Sequence, residues 1–363
     1  MADPRRVDPT FWSGRGVLLT GHTGFKGGWL ALWLRALGAR VTGLSDAVPT
    51  SPSLFALAGV HEMLHADVRA DVRDAAAVER AVREAEPDVV LHLAAQPLVR
   101  RSFAAPAETF AVNVSGTAHV LDAVRAVEGV RATVVVTSDK CYAPGPDAHP
   151  ETDPLGGDDP YSASKAAAEL VCAAYRDSYG LPLATARAGN VIGGGDWGAD
   201  RLMPDVLAAA VAGRAVELRN PAAVRPWQHV LNPLAGYLLL AESLAAAPDR
   251  FAGGWNFGPA PDDALPVRVL VERVGELWAD GAAGSGSGSL AIAAQPGEHP
   301  REAPTLRLDS AKARDELGWR PAWSLEDGLR AIVDWTRAHA AGDDLRAVTL
   351  AQIDAYGRAP AAP

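Results

Sequence analysis

The chain contains few cysteines, and their pattern excludes several kinds of site. Its 363 residues include only two, Cys141 and Cys172, and their spacing fits no metal-ligand motif. One disulfide is conceivable, but two buried free thiols in a reducing cytoplasm are the better interpretation. We therefore expect no bound metal.

Basic residues and long apolar runs are also scarce. With 34 Lys and Arg against 44 Asp and Glu, the formal net charge is −10. This charge argues against non-specific binding to nucleic acid or anionic membranes, although a local arginine cluster could still bind an anionic ligand. Asp, Arg and Gly interrupt every apolar stretch before it reaches the length of about 18 residues that suggests a membrane span. The N-terminus lacks the apolar segment of a signal peptide. We therefore expect a cytoplasmic protein with no nucleic-acid or membrane partner.

What the chain does have is a hydrophobic content of 48%, enough for a sizeable core. In its first half, short β-branched runs alternate with alanine-rich helical stretches. The predicted strands are Gly16–Thr20, Arg40–Leu44, Met63–Ala66, Val89–Leu93, Thr133–Thr137 and Leu183–Ala188. The predicted helices are Gly27–Leu37, Asp74–Glu84, Ala107–Val127 and Pro160–Tyr179. Such alternation predicts an α/β fold with a doubly wound parallel sheet.

A glycine-rich turn directly follows the first predicted strand. Gly21, Gly24 and Gly27 allow, in order, a tight turn, close approach of the backbone to a pyrophosphate, and close packing of helix on strand. Thr23 and Phe25 lie within this turn. A glycine-rich surface turn is the alternative, but the position after the first strand favours a dinucleotide site and hence a Rossmann domain.

The ends of the next strands supply further candidate cofactor contacts. Ser45 is the expected neighbour of the ribose, with Asp46 beside it, and no arginine follows immediately to hold a 2′-phosphate, so NAD is favoured over NADP. Asp71 could accept a hydrogen bond from the adenine amino group, unless it merely caps a helix. The other candidates, at the ends of the third and fourth strands, are Val72, Leu93, Ala94 and Ala95.

Tyr161 and Lys165 lie one helical turn apart, on the same face of a predicted helix. A nearby lysine and a cationic nicotinamide would both favour the phenolate, which moves the tyrosine towards use as a base. An ordinary surface pair is the alternative. Together with the glycine turn upstream, the pair predicts a nicotinamide-dependent enzyme.

From about Gly16 to Trp335 the chain resembles the extended short-chain dehydrogenase/reductase family, whose members modify nucleotide-linked sugars. The glycine turn, Leu93-Ala94-Ala95, Asn113 and the Tyr161/Lys165 pair match that family's pattern in order. A narrower resemblance, to the branch of its 4,6-dehydratases that acts on CDP-glucose, lies in Ser138-Asp139-Lys140 and several other stretches. One departure is Arg301-Glu302-Ala303, where that branch usually has His-Glu-Ala.

The resemblance implies a reaction that oxidises C4 of the sugar, removes water across C5 and C6, and reduces C6, so that NAD is regenerated. By resemblance, Tyr161 is the base at the C4 hydroxyl, Ser138 binds the C4 oxygen, Asp139 is the acid at C6 and Lys140 is the base at C5. A lysine base needs a lowered pKa, which the adjacent carboxylate of Asp139 opposes unless it is protonated. The expected substrate-binding residues are Gln96, Asn190, Arg201, Arg225, Asn256 and Arg301.

Other functions and the organisation of the chain stay open at this point. A 4-epimerase, a dehydratase for another nucleotide sugar, and a non-catalytic cofactor sensor are the alternatives. Residues 1–189 are expected to form the NAD-binding domain, and 190–363 mainly a smaller substrate-binding α/β cap with segments that return to the first domain. The stretch 281–289 is predicted to be a flexible Gly/Ser loop. The resemblance also implies a homodimer through helices 107–127 and 160–179, with a tetramer as the alternative.

Overall fold

The structure is a computed structural model that describes residues 6–145, 148–280, 290–294 and 307–360. The predicted Gly/Ser loop at 281–289 and the candidate residue Arg301 lie outside these described residues.

The described residues form short strands separated by helices. The strands are β1 Gly16–Thr20, β2 Arg40–Ser45, β3 Ala66–Arg69, β4 Val89–His92, β5 Ala132–Val136, β6 Ala148–His149, β7 Leu183–Arg187, β8 Asn190–Ile192, β9 Val216–Leu218, β10 Val224–His229, β11 Gly253–Asn256, β12 Ala264–Pro266, β13 Ile292–Ala294 and β14 Arg307–Leu308. The α-helices are α1 Pro9–Trp12, α2 Phe25–Ala36, α3 Leu54–Leu57, α4 Val60–Met63, α5 Ala75–Ala85, α6 Val99–Ala104, α7 Pro106–Phe110, α8 Gly116–Arg125, α9 Pro160–Tyr179, α10 Leu202–Ala212, α11 Leu231–Ala246, α12 Pro248–Phe251, α13 Val267–Asp280, α14 Ala311–Glu316, α15 Leu325–Ala341 and α16 Leu345–Arg358. A π-helical turn, Ala111–Ser115, joins α7 to α8, and short 3-10 turns lie at Asp139–Cys141 and Pro261–Asp263.

Seven parallel strands form the main sheet, in the order β11-β7-β5-β4-β1-β2-β3. Every residue of β1, β4, β5 and β7 is buried, as expected for strands covered on both faces. The strand order reverses between β1 and β4, and in such sheets ligands bind at the carboxyl ends of the strands beside that reversal. The predicted doubly wound α/β fold is confirmed.

Two predicted elements differ from the structure. The segment Val60–Met63 is helical, and β3 begins only at Ala66. Since β3 is the edge strand, its side chains alternate between half-buried and exposed. Its sequence therefore lacks the apolar run from which a strand could be predicted. The predicted helix 107–127 is divided by the π-helical turn, where Asn113 is buried and its side chain hydrogen-bonds the backbone of Gln96.

The chain beyond residue 190 builds smaller sheets. Strands β8, β10 and β12 form one, and β9 pairs with β13. Strand β14 pairs instead with β6, which lies in the first half of the chain. A separate apolar core, which includes Val206, Trp227 and Leu270, supports the sheet of β8, β10 and β12 and the pair of β9 and β13. Strand β11 nevertheless joins the edge of the main sheet. The predicted domain boundary at residue 190 stays a prediction.

Both cysteines are buried and free. Within the described ranges, no helix combines the length and the apolar composition that crossing a bilayer would require.

Candidate active site

A large cleft lies at the carboxyl ends of the main-sheet strands. Its volume is about 1970 Å³, and it is lined by both the glycine turn and the Tyr161/Lys165 pair. Motifs about 140 residues apart in the sequence therefore meet in one site because parallel strands all end at the same edge of the sheet.

The glycine turn has the geometry expected of a phosphate cradle. Gly21 has a φ of +76°, and a Cβ there would lie 2.7 Å from the backbone nitrogen of Ala94. A Cβ on Gly27 would collide with the carbonyl of Gly21. Gly24 is the N-cap of α2 and offers no side chain, so the first amides of that helix are accessible to an anion.

The hydroxyl of Ser45 is buried beside the turn. The Thr23 Oγ1 atom lies 2.8 Å from Ser45 Oγ and donates to the carbonyl of Ala47 at 2.7 Å. Asp46 is exposed and accepts a hydrogen bond from the backbone of Ala47. Of these residues, Thr23 and Ser45 were expected cofactor contacts. Both line the cleft, as do Asp46 and Ala47.

Asp71 has a charged partner that the sequence did not reveal. Its carboxylate accepts from the Nε of Arg73 at 2.9 Å, and this hydrogen bond lowers the pKa of Asp71. Arg73 also lines the cleft, but its guanidinium is already engaged with Asp71. The remaining expected cofactor contacts, Val72, Leu93, Ala94 and Ala95, line the same part of the cleft.

Tyr161 and Lys165 are held on the first turns of α9. The Asp159 carboxylate caps this helix by accepting from the amide of Ser162 at 2.9 Å, and Pro160 occupies its first position. The Tyr161 amide donates to Ser102 Oγ at 3.1 Å, and Lys165 Nζ donates to the carbonyl of Val136 at 3.2 Å. The first contact positions the backbone of Tyr161, and the second holds the Lys165 ammonium at the end of β5.

Burial shifts the pKa values of this pair in opposite directions. Burial raises the pKa of Tyr161 to about 12, although a hydrogen bond with Ser138 partly offsets that rise. Burial also lowers the pKa of Lys165 to about 8. Within the chain itself, desolvation therefore outweighs the neighbouring charges. The expected shift towards phenolate depends also on a bound cationic nicotinamide and stays a prediction.

Ser138, Asp139 and Lys140 follow β5 directly, and all three line the cleft. Ser138 Oγ donates to Asp139 Oδ1 at 2.9 Å and accepts from the amide of Lys140 at 3.2 Å. Asp139 is 4% exposed, and its other oxygen, Oδ2, is buried and has no hydrogen-bond partner among the described residues. Lys140 is only half-buried. The carboxylate is thus held by Ser138 rather than by the adjacent lysine.

The expected substrate-binding residues fall into two groups. Gln96, Asn190, Arg201 and Arg225 line the cleft, although Gln96 uses its side chain to hold the loop at Leu98 and Thr109. Arg201 pairs with Asp196 at 2.8 Å.

Asn256 does not reach the cleft. Its side chain is fully buried, donates to the carbonyls of His149 and Asp309, and accepts from the Tyr142 hydroxyl. The structure therefore gives this residue a role in packing, since its polar atoms are already paired within the chain.

Lys26 is a cleft residue that sequence reasoning missed. It is the only charged residue between Gly21 and Gly28, a signal that could have identified it. Its ammonium lies 6.0 Å from the centre of the Tyr237 ring. Burial lowers its pKa to about 8, with further effects from the charges of Arg201, Lys165 and Asp139. Other arginines that line the cleft are Arg100, Arg101, Arg214 and Arg219.

Comparison with known proteins agrees with this site. The family model described as GDP-mannose 4,6 dehydratase matches residues 18–332. The chain is 43% identical to the CDP-glucose 4,6-dehydratase of Salmonella typhimurium, over 96% of this chain and 98% of that protein. It is a member of the nucleotide-sugar 4,6-dehydratase family of short-chain dehydrogenases.

Solved structures of similar proteins support the same membership. The dTDP-glucose 4,6-dehydratase DesIV of Streptomyces venezuelae, solved with NAD bound, matches with a TM-score of 0.73 and 28% identity, over 91% of this chain and 99% of that one. The UDP-glucose 4-epimerase of Thermotoga maritima matches with a TM-score of 0.74 and 23% identity, over 89% and 99%. The second likeness shows the fold alone.

Proposed function

We propose that the protein is a CDP-glucose 4,6-dehydratase, which converts CDP-D-glucose to CDP-4-keto-6-deoxy-D-glucose and water. The observation that carries this proposal is the placement of Ser138, Asp139 and Lys140 beside Tyr161 and Lys165 in one cleft. An oxidation at C4 alone needs only the tyrosine–lysine pair. The additional carboxylate and lysine are the acid and base that elimination across C5 and C6 requires. The preference for CDP rests on the 43% identical relative from Salmonella.

The cleft fits NAD as the cofactor. The glycine turn leaves the first amides of α2 accessible for a pyrophosphate, while Ser45 and Asp46 lie where the ribose hydroxyls would bind. Arg73 is paired with Asp71, which favours a cofactor without a 2′-phosphate. When bound, NAD supplies reversible oxidation of C4 followed by reduction of C6.

The proposed chemistry of the chain consists of proton transfers by named groups. Tyr161 takes the proton of the C4 hydroxyl. Lys165, still mainly protonated at neutral pH because its pKa is about 8, provides the positive charge beside it. Lys140 removes the C5 proton, and Asp139 protonates the departing C6 hydroxyl.

The substrate diphosphate is proposed to bind at the arginine-lined end of the cleft, with Arg201 and Arg225 as its cations and Asn190 nearby. Arginine suits this task because its planar donors match phosphate oxygens in pairs. Asn256 is omitted from the proposed contacts because its side chain is buried and fully paired. Arg301 stays a prediction.

The test is incubation of the purified protein with NAD and CDP-glucose, beside UDP-, dTDP- and GDP-glucose and GDP-mannose, followed by mass spectrometry. Loss of one water from CDP-glucose, without net formation of reduced cofactor, is the expected result. A sugar isomer of unchanged mass would show a 4-epimerase instead. Water loss from another nucleotide sugar only would retain the reaction and refute the base preference.

We also propose a homodimer formed through the helical segment Pro106–Arg125 and α9. Leu170 and Tyr179 of α9 are 61% and 54% exposed, and Phe110 of the neighbouring segment is 38% exposed. Large apolar side chains left exposed on adjacent helices are typical of an interface. Light scattering coupled to size-exclusion chromatography distinguishes a dimer from a tetramer or a monomer.

A further inference from the structure

His92 is a buried histidine at the carboxyl end of β4 to which the proposed chemistry assigns no role. It ends an otherwise apolar strand and is 2% exposed. Its Nδ1 atom lies 2.6 Å from Thr20 Oγ1 at the end of β1, and its Nε2 atom lies 3.2 Å from Thr117 Oγ1 on α8. The ring therefore connects β1, β4 and α8 beside the point where the strand order of the main sheet reverses.

The hydrogen bonds around Thr20 decide which ring nitrogen carries the proton. Thr20 Oγ1 accepts from the backbone amides of Leu93 at 3.2 Å and Ala94 at 3.1 Å, which occupies both of its lone pairs. Its own proton must therefore point to His92 Nδ1, which accepts it. The ring proton is thus on Nε2. Burial lowers the pKa of His92 to about 3, so the ring stays neutral at neutral pH.

A continuous chain of hydrogen bonds leads from His92 to the catalytic helix. The Nε2–H group donates to Thr117 Oγ1, and the Thr117 hydroxyl donates to the carbonyl of Asn113 at 2.7 Å. The Asn113 side chain donates to Ser164 Oγ at 2.9 Å, and Ser164 donates to the carbonyl of Tyr161 at 2.7 Å. All donors point the same way, from the end of β1 to the first turn of α9, so each bond polarises the next.

The same hydrogen bonds fix the loop 93–96, which lines the cleft. The Thr20 hydroxyl holds the first two amides of the loop. The Asn113 side chain holds the amide and the carbonyl of Gln96 at its end, at 2.8 and 3.2 Å. The glycine turn packs against this loop, since a Cβ on Gly21 would lie 2.7 Å from a backbone nitrogen of the loop. A displaced loop would therefore shift the glycine turn relative to α9.

We propose that His92 is a positioning residue for the oxidation at C4: its Nε2–H tautomer ties the loop 93–96 to α9 and thereby sets the placement of the cofactor relative to Tyr161. During this oxidation C4 loses a hydride and its hydroxyl loses a proton, so both acceptors must be correctly placed relative to the sugar. His92 acts through its neighbours and exchanges no proton with the substrate. The inference rests on the proposed function, whose first step is this oxidation.

Three variants separate the two hydrogen bonds of the ring. Thr117→Val removes the acceptor of the Nε2 proton and leaves His92 itself intact. His92→Asn keeps an acceptor near the position of Nδ1 but is too short to reach Thr117, and His92→Leu removes both bonds. The control is His65→Asn, which changes an exposed histidine directly before β3. Circular dichroism and thermal melting verify folding, and bound NAD counts the folded sites.

We expect Thr117→Val and His92→Leu to lower kcat per folded site with CDP-glucose by roughly 10-fold or more, since a displacement of about 1 Å can cost about 10²-fold. His92→Asn should lose less than His92→Leu. The KM for CDP-glucose should stay within roughly twofold, because no substrate contact is removed. Deuterium at C4 of the substrate should slow Thr117→Val, because removal of the hydride limits this variant. A loss of kcat without a C4 isotope effect, or a kcat equal to that of His65→Asn, overturns the positioning role.

NMR of wild-type protein labelled with nitrogen-15 histidine reports the tautomer without any substrate. The ring signals of His92 are assigned by their absence from His92→Asn. We expect a proton on Nε2 alone, and a proton on Nδ1 overturns the inference. Because this measurement needs no turnover, wild-type protein that fails to dehydrate CDP-glucose refutes the proposed function, while the tautomer still decides on the hydrogen bonds of His92.

Discussion

Replacement of Arg187 by methionine should destabilise the protein strongly. Among the described residues, Arg187 is the only cationic side chain that hydrogen-bonds the buried carboxylate of Glu169 beneath the site. Arg187 and Glu169 are each 4% exposed and form two hydrogen bonds, of 2.9 and 2.7 Å. Glu169 also accepts from the hydroxyls of Thr137 and Thr185. The pair thus connects α9, the end of β5 and β7.

The expected loss follows from desolvation. Removal of one partner of a buried ion pair typically costs about 3–5 kcal/mol, since the remaining charge stays buried and unpaired. Folded domains have a free energy of unfolding of only about 5–15 kcal/mol, so Arg187→Met should remove a large part of it. The double variant Arg187→Met with Glu169→Gln should lose less than the two single variants added together, because neither charge is then left alone.

Urea denaturation followed by the fluorescence of the 10 tryptophans measures this effect. The matched control is Arg358→Met, which removes an exposed ion pair with Asp354 on α16, where the two side chains are 73% and 62% exposed. Exposed pairs contribute about 0–1 kcal/mol. If Arg187→Met and Arg358→Met shift the urea midpoint equally, the argument from the buried pair is refuted.

Three further predictions concern the cleft. Gly27→Ala should abolish NAD binding in calorimetry, while Gly357→Ala, whose added Cβ meets no atom of the described residues within 4 Å, leaves it intact; equal affinities would contradict the packing role of Gly27. Gly189→Ala places a Cβ 2.9 Å from Asp139 Oδ2, so dehydration should slow at unchanged NAD affinity, and an unaltered rate would show that this oxygen takes no part. Folding lowers the pKa of Lys26 from 10.5 to about 8, so the unfolded state binds more protons between these pH values. The contribution of Lys26 to the free energy of unfolding should therefore rise with pH through this window. Lys26→Met should lose this rise, which urea midpoints at several pH values measure.

Features that depend on neighbouring residues in the chain were predictable from the sequence. The glycine turn after β1 and the four-residue spacing of Tyr161 and Lys165 follow from local backbone geometry. Strand β1 and helix α9 therefore begin and end where the sequence predicts, at Gly16–Thr20 and Pro160–Tyr179. The meeting of the two motifs in one cleft also follows, since parallel strands end at one edge of the sheet.

Features that depend on burial and on distant partners were decided only by the tertiary structure. Asn256 appeared available for substrate, yet the fold encloses it and pairs its amide with distant carbonyls. Lys26 appeared to be part of a backbone motif, yet it lies among the charges of the site. Tyr161 lies on the helix that the sequence predicts, but the burial that raises its pKa within the chain was decided only by the fold. Sequence specifies which groups a turn or helix presents, whereas the free energy of a charge depends on how much water the whole fold removes around it.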